Sequence, residues 1–324
     1  MLISLLLSAL AAPQQDGLIL VGPSSSTDTF LLDNNGVESH TWTASTYQPG
    51  QASYLTESGH LIRTVRVSGL AASTIGGSGG GVEIYNYDDV LISDFFYASD
   101  DHLLHHDIAV MPNGNILMIA WERILDIDVI AAGRDAGITG PFMWSESILE
   151  VDMTTGSIVW QWHAIDHMVQ DRDASKPNYG VIADNQTRLD INQPTNRPGH
   201  NDWLHFNAID YNAHLDQIAI SSRVLSEIFI IDHNTTTAQA AGVDGDFLYR
   251  WGNPENYDRG TPADRMLQSQ HDIQWVADDC PGAGNLIVFN NGSPGPSAAS
   301  TIDEFTPPLD PATGTYAIGL TGAY

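Results

Sequence analysis

A repeated alternation of short apolar segments and turn residues constrains the fold more than any other feature of the sequence. An apolar segment at residues 30–32 is followed by the turn Asn34-Asn35-Gly36, and a second segment then ends at Trp42. This arrangement indicates a β-hairpin, because Asn-Gly supplies the left-handed backbone that a tight turn requires. Similar pairs recur as far as residue 305. About four such segments fill each interval of roughly 40–60 residues, a repeat length typical of architectures built from four-stranded units.

We therefore predict an all-β chain folded as a β-propeller, in which each four-stranded unit forms one blade. A β-sandwich with coincidental repeats is the alternative. The last unit has an opening strand at residues 301–305 but no second half, whereas a propeller must close its ring to remove edge strands. We expect a single propeller domain over residues 13–324 that is C-terminally incomplete.

The first residues favour export. Residues 2–10 are apolar apart from two serines, and Ala9, Ala11 and Ala12 supply small residues, as in a signal peptide and its cleavage site. No Lys or Arg precedes them, so either the start is misassigned or the similarity is accidental. We predict a candidate signal peptide at residues 1–12 and a periplasmic or secreted location. No other apolar run approaches the ~20 residues of a membrane span, so we expect no stable membrane insertion.

Charge and cysteine content exclude some functions. The 12 Lys and Arg against 40 Asp and Glu give a net charge of −28, which repels phosphate backbones and argues against a nucleic-acid partner. Cys280 is the single cysteine, so neither an intrachain disulfide nor a thiolate metal cluster can form. The adjacent Asp278 and Asp279 disfavour a thiolate, so we interpret Cys280 as a passive turn residue.

Two kinds of connecting segment stand out. Residues 120–147, 163–202 and 252–270 are too long for simple turns, and we predict loops that cap one end of the channel. The glycine-rich residues 76–81 lack the Lys-Ser/Thr of a phosphate-binding loop, and we predict a flexible crossing there.

Three histidines occupy equivalent positions in the repeat. His106, His205 and His271 each open the second hairpin of a unit, so three blades would point an imidazole into one channel mouth. Arg223 lies in the strand after His205. An isolated histidine usually makes a structural hydrogen bond. The role of His105 is left open because it is the neighbour of His106. We interpret the others as structural: His40, His60, His102, His163, His167, His200, His214 and His233.

Two kinds of site compete for these side chains. Three histidines could bind zinc, but a guanidinium beside a metal costs energy unless an anion lies between them. Three imidazoles with Arg223 suit an oxyanion such as sulfate, and a neutral imidazole could attack a bound sulfuryl group while the others move protons. The alternatives are a non-catalytic propeller with a structural metal and a quinone-dependent dehydrogenase, which would need calcium-binding carboxylates.

Several motifs resemble the bacterial aryl-sulfate sulfotransferase family, in order and over nearly the whole chain from about residue 27. The runs are His105-His106-Asp107-Ile108, Pro112-Asn113-Gly114-Asn115, Asp202-Trp203-Leu204-His205-Phe206-Asn207, Ser221-Ser222-Arg223, Tyr249-Arg250-Trp251-Gly252-Asn253-Pro254 and Gln270-His271-Asp272. The resemblance implies an exported, typically six-bladed propeller. It also implies sulfuryl transfer from a phenolic sulfate ester to a phenol without a nucleotide sulfate donor.

The resemblance also assigns roles. It implies that His271 is the nucleophile of a ping-pong reaction and becomes a transient sulfohistidine. His106, His205 and Arg223 would bind sulfate and handle protons, and Asn207 would bind substrate. Phenols and aryl sulfates are the expected small-molecule partners, and we expect neither a cofactor nor a metal. Members normally continue past the equivalent of Tyr324, and some have an N-terminal disulfide that this chain lacks.

Overall fold

Five antiparallel sheets form the blades of a β-propeller in the described part of the chain. The computed structural model describes residues 17–138, 140–193, 201–292 and 299–318. The predicted all-β propeller is therefore confirmed, with five blades where the resemblance implied six. The candidate signal peptide at residues 1–12 lies outside the described residues.

The strands follow one another from blade to blade. The first blade is β1 (Leu18–Val21), β2 (Thr29–Asp33) and β3 (Glu38–Trp42). The second is β4 (Pro49–Leu55), β5 (Leu61–Arg66), β6 (Gly80–Tyr85) and β7 (Leu91–Phe96). The third is β8 (His102–Val110), β9 (Ile116–Leu125), helix α1 (Asp126–Ala131), β10 (Phe142–Asp152) and β11 (Ser157–His163). A short parallel pair follows, β12 (Met168–Val169) with β13 (Leu189–Asp190).

The fourth blade is β14 (Phe206–Asn212), β15 (Gln217–Ser222), β16 (Glu227–Asp232), helix α2 (Thr237–Ala240) and β17 (Tyr249–Trp251). The fifth is β18 (His271–Trp275), β19 (Leu286–Asn290) and β20 (Thr301–Phe305), followed by the hairpin β21 (Leu309–Asp310) and β22 (Thr315–Tyr316). Short 3-10 helices are found at Ala164–Asp166, Ile182–Asp184, Val243–Gly245, Pro254–Tyr257 and Pro262–Asp264.

The core lies in layers between the blades, because alternate side chains of a strand point to opposite faces. In β9, Ile116 and Met118 pack in a cluster shared with the second blade, whereas Leu117 and Ile119 pack in a cluster shared with the fourth. All four side chains are fully buried. A continuous apolar run is therefore what a strand covered on both faces requires.

The predicted repeat was displaced by two strands. The units defined from sequence joined the outer hairpin of one blade to the inner hairpin of the next. His106 and His271 therefore lie in innermost strands, and His205 lies directly before one, rather than in a second hairpin. For the same reason, β20 is the third strand of the fifth blade and does not open a new unit. The strands β4, β8, β14 and β18 surround a channel cavity of about 450 Å³.

Two carboxylates join successive inner strands. Asp107 in β8 accepts a hydrogen bond from the backbone N–H of Ile209 in β14 at 3.1 Å. Asp210 in β14 accepts one from the backbone N–H of Trp275 in β18 at 2.7 Å. Backbone groups that lack a partner within their own sheet are thus paired across blades, which fixes the offset of one inner strand against the next.

One of the predicted loops is largely strand. Residues 120–125 and 142–147 extend β9 and β10 as a paired hairpin arm, and α1 lies at its tip. The prediction was wrong here because Trp121 and Trp144 continue the buried apolar pattern past the polar residues between them. The arm brings Glu146 of β10 to the mouth of the channel.

Candidate functional site

A β-bulge lies at or beside each of the three predicted histidines. The pairing register of the inner strands shifts within residues 104–108, 206–208 and 271–274. His106 and His205 have left-handed backbones, with φ of 50° and 52°. A bulge turns a side chain away from the regular alternation of its strand, and a non-glycine residue at positive φ is uncommon. A bulge thus lies at or next to each of the three histidines, and the left-handed backbone falls on His106, on His205 and on Asp272, the neighbour of His271.

The structure brings the four predicted side chains together. The ring centroids of His106 and His205 lie 4.6 Å apart at 73°. The backbone N–H of Arg223 donates to the carbonyl of His205 at 3.1 Å. Burial lowers the pKa of His106 well below its usual value, and repulsion from any positive charge on His205, His271 or Arg223 lowers it further. The pKa of His271 is lowered by burial and then by Arg223. The four groups therefore share one electrostatic environment.

Each of the three imidazoles is held through Nδ1. In His205, Nδ1 contacts the carboxylate of Asp202. In His271, Nδ1 lies 2.9 Å from Nδ2 of Asn291, and the backbone of Ser269 also hydrogen-bonds the ring. In His106, Nδ1 lies 2.8 Å from Nδ1 of His105. Because the partner of one ring nitrogen sets the tautomer and orientation, Nε2 is in each case the nitrogen left for a ligand.

Sequence reasoning missed the second layer of the site. His105 was left open, and its Nε2 lies 2.8 Å from Oε2 of Glu146, with both side chains fully buried. The backbone N–H of Phe206 donates to the other oxygen of Glu146 at 2.9 Å. Trp121 stacks on His105 with centroids 3.9 Å apart. The signal was the polar run Ser145-Glu146-Ser147 in an otherwise apolar segment, but it fell within a predicted loop.

Asn207 contacts the backbone next to His271. It is buried, and its Nδ2 donates to the carbonyl of Gln270 at 2.7 Å, one residue before His271. The carboxamide of Gln270 in turn donates to Oγ of Ser221 at 2.9 Å and to the carbonyl of Glu227 at 2.8 Å. Substrate binding by Asn207 stays a prediction, and these contacts give it a positioning role.

The glycine-rich segment is an ordered wall of the site and not the flexible crossing predicted. The carbonyl of Gly77 accepts a hydrogen bond from the backbone N–H of His106 at 2.8 Å. The His106 ring lies directly against Gly77, where an added Cβ would be 2.0 Å from ring atoms. Only glycine leaves room for this ring.

Arg250 stabilises the fold through a buried ion pair. Its guanidinium makes a buried bidentate pair with Glu227, at 2.9 and 2.6 Å, and donates to the carbonyl of Arg188 at 2.9 Å. It also lies over the ring of Tyr257, 4.3 Å from the centroid. The run from Tyr249 to Pro254 therefore joins the fourth blade to the segments around it.

Several other histidines make the structural contacts expected of them. His163 and His167 lie 2.8 and 2.9 Å from the carboxylates of Glu122 and Asp246, and His233 lies 2.7 Å from Asp216. His200 lies outside the described residues.

Within the described ranges, no group of three or more His, Cys, Asp or Glu is placed to hold a metal ion. In the same ranges, no helix has the length and apolar character needed to cross a membrane.

Comparison with known proteins gives one strong match. The family model described as Arylsulfotransferase (ASST) matches residues 8–306. No curated protein matches the chain. Similar solved structures include a protein of unknown function from Bacteroides caccae, with 11% identity, coverage of 90% of this chain and 73% of that chain, and a TM-score of 0.44. Kuenenia stuttgartiensis hydrazine synthase has 11% identity, coverage of 89% of this chain and 68% of that chain, and a TM-score of 0.47. Virginiamycin B lyase from Staphylococcus aureus has 12% identity, coverage of 95% of this chain and 73% of that chain, and a TM-score of 0.41.

Proposed function

Because this chain belongs to the arylsulfotransferase family, we propose that it moves a sulfuryl group from a phenolic sulfate ester to a phenol through a sulfohistidine on His271. The observation that carries the proposal is the convergence of three imidazoles, each held through Nδ1, beside Arg223. Donor and acceptor are small phenolic molecules, and no nucleotide takes part.

The first half-reaction forms an N–S bond and breaks an S–O bond. Nε2 of His271 attacks sulfur from the tautomer that carries its ring hydrogen on Nδ1, and the phenolate oxygen leaves with the electron pair of the broken S–O bond. His106 or His205 donates a proton to that oxygen, so that a neutral phenol departs. Arg223 binds the sulfuryl oxygens and stabilises the charge that develops on them. The lowered pKa of His271 supports this role, because it keeps the ring neutral and nucleophilic at neutral pH.

The second half-reaction reverses these steps with a different phenol. The acceptor hydroxyl loses its proton to a neutral imidazole, its oxygen attacks the sulfur on His271, and the N–S bond breaks. The enzyme regains its starting protonation state, and one sulfate ester has replaced another. Because the first phenol leaves before the second one reacts, the kinetics are ping-pong.

The test is to trap the intermediate. The protein is mixed with 4-nitrophenyl sulfate without an acceptor, quenched and digested, and the peptide that contains His271 should gain one SO₃. His271→Ala should abolish both the label and the burst of 4-nitrophenol. His214→Ala is the matched control, because His214 is exposed and pairs with Asp278 outside the mouth. A labelled peptide elsewhere, or transfer by His271→Ala, would refute the assignment.

The same preparation separates the two other functions considered from sequence. A structural metal site would give stoichiometric zinc that a chelator removes. A quinone-dependent dehydrogenase would give quinone absorbance in the purified protein and activity that depends on calcium. Sulfuryl transfer that survives chelation in a colourless protein is the outcome expected here.

We also propose that the protein works in the periplasm or outside the cell. The apolar residues 2–10 and the small residues Ala9, Ala11 and Ala12 support export. Cell fractionation should find the protein outside the cytoplasm with its N-terminus cleaved near residue 12. Retention of the full N-terminus in the cytoplasm would contradict this location.

A further inference from the structure

A buried chain of three titratable side chains runs back from the mouth into the third blade. Nδ1 of His106 lies 2.8 Å from Nδ1 of His105, and Nε2 of His105 lies 2.8 Å from Oε2 of Glu146. The His105 and Glu146 side chains are fully buried. The proposed sulfuryl transfer uses His106 but gives no role to the two groups behind it.

The contacts allow two proton arrangements. Two facing ring nitrogens need one donor and one acceptor, and so do a ring nitrogen and a carboxyl oxygen. If Glu146 is protonated, it donates to His105, His105 donates to His106, and His106 carries its hydrogen on Nε2. If Glu146 is ionised, both imidazoles take the opposite tautomer, and Nε2 of His106 has a lone pair. The charge on Glu146 thus decides whether His106 presents a donor or an acceptor.

The surroundings favour the protonated form at rest. Burial raises the pKa of Glu146 well above its usual value, and the negative charges of Asp202 and Glu122 raise it further. Burial lowers the pKa of His105 well below its usual value, and positive charge on His106 or His205 opposes protonation of the ring. These directions favour an uncharged resting chain, and the hydrogen-bond geometry then places the hydrogen of His106 on Nε2.

We propose that Glu146 is the proton store of this site and that His105 passes its proton to His106. This inference rests on the proposed sulfuryl transfer. As the first phenolate leaves, Nε2 of His106 gives it a proton, Nδ1 of His106 takes the proton of His105, and Nε2 of His105 takes the proton of Glu146. Both imidazoles end neutral and Glu146 ends as a carboxylate. The acceptor phenol returns the proton along the same path.

The relay resolves a difficulty in the chemistry. A buried histidine beside Arg223 and two other imidazoles is a poor place for an imidazolium, so His106 cannot hold a stored proton as a cation. A neutral imidazole can still donate from Nε2 if Nδ1 is supplied with a proton at the same time. The backbone N–H of Phe206 remains bonded to Oε1 and stabilises the carboxylate that forms.

Glu146→Gln tests the relay with little change in shape. Its amide can keep the bond from Phe206 and donate to His105, but it cannot give up a proton. Glu150→Gln is the matched control, because Glu150 is a buried carboxylate of the same strand that bonds Asn115 and His233 outside the mouth. The readout is the burst rate for a series of aryl sulfates whose leaving phenols range from weakly to strongly basic.

Positioning by hydrogen bonds alone and proton supply give different results. If Glu146 supplies the proton, Glu146→Gln should slow phenyl sulfate by roughly 100-fold or more and 4-nitrophenyl sulfate by less than about 5-fold, because basic leaving groups depend most on acid catalysis. Glu150→Gln should keep the wild-type dependence on leaving group. Equal slowing of all esters by Glu146→Gln, or no slowing, would overturn the relay.

A second measurement needs neither a variant nor turnover. Nitrogen NMR of histidine-labelled wild-type protein should show His106 protonated on Nε2 and His105 protonated on Nδ1. The opposite tautomers would overturn the relay even if the variant fails to fold. Absence of a burst from wild-type protein with every ester would instead refute the proposed function, so the two failures are distinguishable.

Discussion

Gly77→Ala tests whether the wall behind His106 sets the geometry of the reaction. An alanine Cβ at this position would lie 2.0 Å from Cε1 and Nε2 of His106 and 2.4 Å from its Nδ1. Ordinary contact begins at 3.4 Å, so the ring must move by about 3.4 − 2.0 = 1.4 Å. Displacing a catalytic group by about 1 Å can cost roughly 100-fold in rate. We expect the burst rate with phenyl sulfate to fall by about that factor or more.

Gly69→Ala is the control for backbone strain. Gly69 has φ of 87° against 85° for Gly77, but nothing lies within 4 Å of its added Cβ. Both variants should lose about 1–2 kcal/mol of stability from an alanine in the left-handed region, measured by denaturant unfolding, and Gly77→Ala should lose more because its Cβ overlaps His106. Only Gly77→Ala should lose its burst, measured by stopped-flow absorbance. Equal rates in the two variants would refute the idea that contact with Gly77 positions His106.

Three further predictions concern the nucleophile and the scaffold. Because burial and Arg223 lower the pKa of His271, the burst rate should stay constant as pH falls from 8 to about 6.5, the usual histidine pKa, and should decline only below that pH. Arg223→Met should raise the apparent pKa in a pH–rate profile. An unchanged profile would contradict this electrostatic account. Asn207→Ala should lower the burst rate while leaving the KM for the donor nearly constant, because Asn207 fastens the backbone before His271; a rise in KM alone would instead support substrate binding. Arg250→Met should destabilise the fold by about 3–5 kcal/mol in denaturant unfolding, because it leaves Glu227 buried without its cation. A loss below about 1 kcal/mol would show that other groups stabilise the fourth blade.

The repeat itself made the fold and the three histidines predictable. Alternating apolar segments and turns identify a propeller, and equivalent positions in the repeat select His106, His205 and His271. The phase of the repeat was not predictable in this way. In a chain of successive hairpins every strand is followed by a turn of similar composition, so local pattern does not say which strand is innermost.

The second layer of the site escaped prediction for a different reason. Glu146 acts through His105, 41 residues away in the chain, and the two meet because β9 pairs with both β8 and β10 at this level. The polar run Ser145-Glu146-Ser147 marks an unusual position in an apolar segment, but it does not identify the distant partner. Substrate binding by Asn207 stays a prediction from its motif, and no sequence signal indicates the hydrogen bond that its amide nitrogen donates to Gln270.

The carboxylates that join the inner strands have a consequence for substrate range. Asp107 directly follows His106, and its bond to Ile209 fixes the third blade against the fourth close to His205. The distance between these imidazoles is therefore a property of the scaffold, already set before any ester arrives. Changes in the segments above the mouth could then alter which aromatic rings are accepted and leave the sulfur chemistry intact. A laboratory search for new phenolic acceptors should diversify those segments and spare the residues next to the histidines.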